Sequence, residues 1–105
     1  MALSPLPVAL NDANFLKRLR AVAADSGRVV LVSHAARRMK QRKITLAQVI
    51  ACLQKGTLRE PAHLTPYGDW KATIGYRSAG DEVQVAVVLE RDNDGDWCVV
   101  VTVMH

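Results

Sequence analysis

Apolar residues recur at spacings of three and four through Phe15, Leu16, Leu19, Val22 and Ala23. This spacing predicts an amphipathic helix, capped by Asn11 or Asp12 and ended by Gly27. Residues 1–10 ahead of it contain Pro5 and Pro7 and read as an irregular arm. The run at 28–32, RVVLV, is a short apolar strand or an extended link. Ser33 stands where an N-cap is wanted, opening a helix over 34–42. Thr45 caps a further helix with Leu46, Val49, Ile50 and Leu53 on one stripe, closed by Gly56.

Beyond Gly56 the period changes from helix to strand. Residues 57–65 hold Pro61 and are at best an irregular edge strand. A turn at Tyr67-Gly68-Asp69 leads into 70–77, where Trp70, Ala72, Ile74 and Tyr76 alternate with Lys71, Thr73, Gly75 and Arg77. Two more strands, 83–90 and 97–104, are separated by turns at 78–81 and 91–96. They are apolar at nearly every position, which predicts cover on both faces. The short turns favour an antiparallel meander of three or four strands. The expected class is α+β, with N-terminal helices packed on that sheet. The division expected is an arm and added helix over 1–27 and the α+β domain over 28–105, forming one compact unit.

Composition agrees with a single core. The chain has 105 residues, half of them hydrophobic but only five aromatic, so Val, Leu, Ile and Ala must supply the interior. The apolar runs fall far short of the ~20 residues of a membrane span. The start, MALSPLPVAL, has no basic segment ahead of its apolar residues and does not read as a secretory signal. Cys52 and Cys98 lie in apolar surroundings without a C-x-x-C pair, as expected for reduced core thiols of a cytoplasmic protein. His34, His63 and His105 lack metal-ligand spacing. Asp92-Asn93-Asp94-Gly95-Asp96 has its glycine at the wrong position for a calcium loop and reads as a hairpin turn. Neither a metal nor a cofactor is expected.

The formal charge of +4 conceals a strong division. Residues 1–59 carry eleven Lys and Arg against Asp12 and Asp25, whereas residues 60–105 carry three against eight acids. Such polarity suits a polyanion, most often nucleic acid, or an acidic protein. The excess is concentrated in Ser33-His34-Ala35-Ala36-Arg37-Arg38-Met39-Lys40-Gln41-Arg42-Lys43, which has no acid at all. On a helix, His34, Arg38 and Arg42 fall within an arc of about 80°. Guanidinium groups there can give charge-assisted bonds to phosphate. An imidazole beside them titrates near neutral pH and can serve as base or acid.

That set suits cleavage of an RNA strand without metal. A base removes the 2′-OH proton, the oxygen attacks phosphorus, cations hold the phosphoryl charge and an acid protonates the departing 5′-oxygen. A histidine after a helix start is equally at home as a packing residue. Arg38 and Arg42 could alternatively pair with an acid of the second half, such as Asp69 or Glu82.

SHAARRMKQRKITLAQVIACLQKG, followed by W-x-x-x-I and a final VVVTV strand, resembles the domain-of-unknown-function family 4258. His34, Ala35, Arg38, Met39, Arg42, Ile44, Thr45, Val49, Gly56 and Thr102 match its pattern, although Ser33 directly precedes His34 where the family has a gap. The likeness covers roughly residues 29–104. That family looks like a relative of the RelE, ParE and BrnT toxins, small folds with helices before an antiparallel sheet. Several of these cut mRNA without metal and are neutralised by an antitoxin, so RNA and an acidic antitoxin-like protein are the partners the resemblance implies, with no membrane.

The expected catalytic set is therefore His34, Arg38 and Arg42, with Lys71 and Thr102 assisting. Arg37, Lys40, Lys43 and Arg77 are expected to hold nucleic acid. His105 is carried because RelE-like toxins often place a functional residue near the C-terminus. The alternative is a non-catalytic nucleic-acid- or protein-binding module of the same fold. Met39, Leu46, Val49, Ile50 and Leu53, with Trp70 and Tyr76, are expected in the core.

Overall fold

The computed structural model describes residues 11–78 and 80–104. The arm over 1–10 and His105 lie outside the described residues. Three helices, α1 (Asp12–Ala23), α2 (Ser33–Arg42) and α3 (Leu46–Lys55), pack on a five-stranded sheet. Its strands are β1 (Val29–Leu31), β2 (Thr57–Leu64), β3 (Trp70–Ser78), β4 (Asp81–Asp92) and β5 (Gly95–Met104), in the order β1-β5-β4-β3-β2.

The α+β class stands, but the sheet is larger than the pattern suggested and it is mixed. β2 to β5 form the antiparallel meander, and β1 adds a fifth strand parallel to β5, with Val30 opposite Val99. Three residues are too few to show a period in the sequence. Their pairing is imposed by a strand more than sixty positions away. β2 is the irregular edge expected around Pro61, with register shifts between Leu58 and His63. Asp12 accepts the Ala62 N–H (2.9 Å), tying the start of α1 to that edge.

Each helix has a local cause. Asn11 caps α1 by accepting the Asn14 N–H at 2.8 Å. The helix ends at Ala23, earlier than Gly27, because Asp25 redirects the chain. Its carboxylate accepts the Gly27 N–H (2.9 Å), and residues Ser26–Arg28 form a 3-10 turn. Thr45 and Gln48 form a reciprocal capping box on α3, at 3.1 and 2.8 Å. Thr45→Ala is expected to cost ~1 kcal/mol in urea denaturation.

The core cluster joins Phe15, Leu19, Ala35, Met39, Val49 and Leu53 to Ile74, Val85, Val87, Cys98 and Val100. Trp70 and Tyr76 pack against it, as expected. Leu46 departs from expectation: it is 49% exposed at the first position of α3, where the stripe has not yet turned inward. Ile50 is only half-buried. Ala86 and Val88, on the other face of β4, are buried but stand outside this cluster. Both faces of β4 are therefore buried, as its nearly continuous apolar run predicts.

β5 carries a bulge. Val100 pairs with Val87, but Thr102, not Val101, pairs with Ala86. Simple alternation from Cys98 and Val100 would bury Thr102. The extra residue turns Thr102 to the face away from the core cluster and sends Val103 inward.

Candidate nucleic-acid interface on helix 2

α2 begins where β1 ends. Val32 still donates its N–H to Val100 (3.2 Å), while its carbonyl accepts the Ala36 N–H (3.0 Å). Val32, not Ser33, is therefore the N-cap, and no side chain caps the helix. Ser33 becomes the first helical residue because the strand pairing with β5 runs one residue past Leu31. The first-turn amides of α2 are left without a capping side chain, an arrangement that favours negative charge there.

The helix is anchored by Ala35 and Met39, fully and almost fully buried. This orients the remaining side chains. His34, Arg38 and Arg42 run along the flank beside that apolar seam, with Arg38 half-buried and the other two exposed. Arg37 and Lys40 lie on the outer side. At the far end Lys43 has φ 58°, the only non-glycine in the left-handed region among the described residues. The Lys43 N–H bonds Lys40 O, and the Ile44 N–H bonds Met39 O at 2.9 Å, closing a Schellman motif over buried Met39 and Ile44. A glycine ordinarily fills this place. Lys43→Gly is therefore expected to stabilise the fold by ~1 kcal/mol, read as a rise in melting temperature.

Among the described residues, His34, Arg37, Arg38, Lys40 and Lys43 take part in no ion pair. Two acids of the second half are engaged by other cations. Glu82 accepts from Arg59 (Nε at 3.0 Å), and Asp96 from Arg91 (2.7 Å) and Arg18 (2.9 Å). The Arg28 guanidinium stacks on Trp97, 4.5 Å from the ring centre, away from the basic group of α2. Glu82, one of the acids considered as a partner for Arg38, is thus taken by a cation from β2.

These acids also set the acid stability. Arg91, and after it Arg18, hold the Asp96 carboxyl below its ordinary range. The neighbouring Trp97 indole and the Asp94 amide (2.8 Å) do the same for Asp92. Depressed carboxyls stabilise the fold above the unfolded value near 4 and lose that contribution as pH falls through the folded value. Glu90, raised by burial and by Asp69 and Asp92, opposes this trend. The melting temperature is expected to fall below about pH 4, and Asp96→Asn to flatten that fall.

Lys71, Thr102 and Arg77 lie on strands of the sheet and not on α2. Lys71 pairs in register with Val88, and Thr102 with Ala86, on the sheet face turned from the core cluster. Arg77 shares the parity of Lys71 on β3, opposite Glu82 in register, and is exposed. No hydrogen bond or ion pair joins any of the three to α2 among the described residues. The structure thus divides the expected catalytic set into a helix group and a sheet group. His63 is exposed on edge strand β2, its Nδ1 3.2 Å from Pro61 O.

Cys52 and Cys98 are core residues. Burial pushes both thiols up to about 12, and their Sγ atoms face backbone carbonyls, Ile74 O at 3.4 Å for Cys52 and Leu19 O at 3.7 Å for Cys98. Neither suits a nucleophile. No group of three or more His, Cys, Asp or Glu among the described residues is placed to hold a metal. No described helix is long and apolar enough to cross a membrane.

The left-handed cap at Lys43 was invisible in the sequence, since lysine gives no signal for it. The sharpest result concerns the positions of the family likeness. Ala35, Met39, Ile44 and Val49 fill the core, Thr45 caps α3, and Gly56 sits where a Cβ would collide with backbone. His34 and Arg38 have no such structural task.

No curated protein and no solved structure matches the chain. A family model described as "Domain of unknown function (DUF4258)" matches residues 31–105, from the end of β1 through the whole sheet, leaving α1 outside. With well over half of its length matched, the chain belongs to the DUF4258 family.

Proposed function

We propose that the chain is a RelE/BrnT-like protein that binds an RNA strand through α2, with Arg38 and Arg42 on the phosphates and Arg37, Lys40 and Lys43 around them. One observation carries this reading: α2 and its cap present five cations and an imidazole, and no carboxylate of the described residues pairs with His34, Arg37, Arg38, Lys40 or Lys43. Arg37, Arg38, Lys40 and Lys43, without a carboxylate partner among the described residues, suit a polyanion better than a fold-stabilising role.

A second reading, metal-independent strand cleavage, is favoured by the exposure of His34 one helical turn before Arg38. In that reaction His34 takes the 2′-OH proton. The 2′-oxygen bonds to phosphorus as the 5′-oxygen departs, leaving a 2′,3′-cyclic phosphate, and water protonates the leaving oxygen. Arg38 holds the charge on the phosphoryl oxygens. Lys71 and Thr102 stand on the sheet, so the helix alone supplies one acid–base group where two are wanted. Binding is the better-supported function.

Incubation of single-stranded RNA with the protein and with His34→Ala in EDTA separates the readings. Retarded but intact RNA with both proteins supports binding alone. Cleavage by the parent and its loss in the variant supports the enzyme. Neither retardation nor cleavage contradicts both.

A further inference from the structure

We infer that His34 is the residue of α2 that recognises an unpaired base, its imidazole stacking on the base of a nucleotide whose phosphate is held by a neighbouring guanidinium. The inference rests on the reading of α2 as an RNA-binding helix and assigns the base contact within it. His34 is exposed, and among the described residues no ion pair or hydrogen bond engages its imidazole. It carries the only aromatic ring of α2. The adjacent Ala35 and, one turn on, Met39 are buried, so the ring projects from an anchored helix and not from a loop.

Its neighbours supply the other half of the contact. Residues three and four apart on a helix have Cβ atoms about 5–6 Å from one another. For His34 these are Arg37, exposed, and Arg38, half-buried, and neither pairs with an acid among the described residues. One nucleotide can therefore set its base on the imidazole and its phosphate on a guanidinium. Guanidinium planes stack as well, but their charge and paired donors draw them to phosphate. An uncharged imidazole has no such pull, and its flat face accepts any base. The other exposed rings of the described residues lie elsewhere: Tyr67 in the turn between β2 and β3, and His63 on β2 together with Glu60. Phe15 is fully buried, Trp70 and Tyr76 pack against the core, and Trp97 is stacked by Arg28. A base inside a duplex keeps its faces against its neighbours, so the chemistry recognised is an unpaired base beside its own phosphate.

The test measures fluorescence anisotropy of a twelve-nucleotide uridine RNA and of a ribose-phosphate strand of equal length without bases. Both are titrated with the full chain in EDTA at pH 8.5, where an imidazole is ordinarily uncharged. The strands share their phosphates and 2′-hydroxyls and differ only in the bases. The parent protein is expected to bind the uridine strand about tenfold tighter, through one base–ring stack. His34→Ala should bring the uridine strand down to the base-free one and leave the latter within about twofold of the parent. The fold should hold, because His34 is exposed and alanine favours helix. His34→Tyr, which keeps a flat ring, should restore the difference, whereas His34→Gln, which keeps only a donor and an acceptor, should not. Equal affinities in the parent overturn the inference, as does a difference that survives in His34→Ala, the guanidiniums then being the stacking planes. Restoration by His34→Gln, or none by His34→Tyr, overturns it as well. Each of these leaves phosphate binding by α2 in place. Failure to bind either strand overturns the inference together with the reading beneath it.

Discussion

Gly56→Ala is expected to destabilise the protein by about 2–3 kcal/mol, lowering the melting temperature by roughly 10–20 °C. A Cβ on Gly56 would lie 2.5 Å from Cys52 O, 2.6 Å from Ile74 Cγ2 and 2.7 Å from Gly75 O. Two of those atoms are backbone, so relief requires the end of α3 to move off β3. Arg20 bonds Gly56 O at 2.6 Å, and that contact would move as well. Gly75 provides the control. The atoms nearest its added Cβ belong to the side chain of Arg59, with Nε at 2.5 Å, and that side chain can swing away. That releases only an exposed ion pair with Glu82, which contributes little in water. Urea denaturation of both variants should show the large loss only for Gly56. Equal losses would mean that the close approach at Gly56 does not explain its place in the fold.

Replacing Arg38 and Arg42 together by alanine is expected to weaken RNA binding on the order of 10²-fold at physiological salt. Both residues lie on the flank of α2, outside the core cluster, and alanine favours helix. The melting temperature of Arg38→Ala alone should therefore hold or rise slightly. This opposition of effects distinguishes a binding stripe from a structural one. Parallel loss of affinity and stability would show that the arginines hold the fold instead. Lys43→Gly offers the same opposition on a smaller scale, with higher stability and weaker binding.

The helical half was largely readable from its residues, because caps and apolar stripes are local signals. Asn11 and Thr45 cap as expected, and Val49 and Leu53 are fully buried. The errors arose where distant parts of the chain decide. β1 exists as a strand only because β5 lies beside it, and that pairing moved the α2 N-cap from Ser33 to Val32. The bulge at Val101 reversed the side of Thr102, which no period-two reading could show. For the candidate site, the sequence supplied the density of cations and their common stripe. It could not show that Arg59 would claim Glu82, leaving the cations of α2 without that acid. Nor could it show that Lys71 and Thr102 face away from the helices.

The sheet also explains why charge polarity along the chain became polarity in space. Asp69 and Asp92 are close enough to Glu90 to raise its carboxyl, placing the turn between β2 and β3 beside the β4–β5 hairpin. α2 starts near the other end of β5, after Val100. The acids of the β4–β5 hairpin are therefore separated along β5 from the start of α2.

The most direct test of the α2 assignment is amide chemical-shift mapping of the full chain during titration with single-stranded RNA in EDTA. The expected result is a set of shifts centred on residues 33–43 that collapses when the salt concentration is raised. Shifts centred instead on β3 to β5 around Lys71 and Thr102, or no shifts at RNA concentrations well above that of the protein, would contradict the assignment.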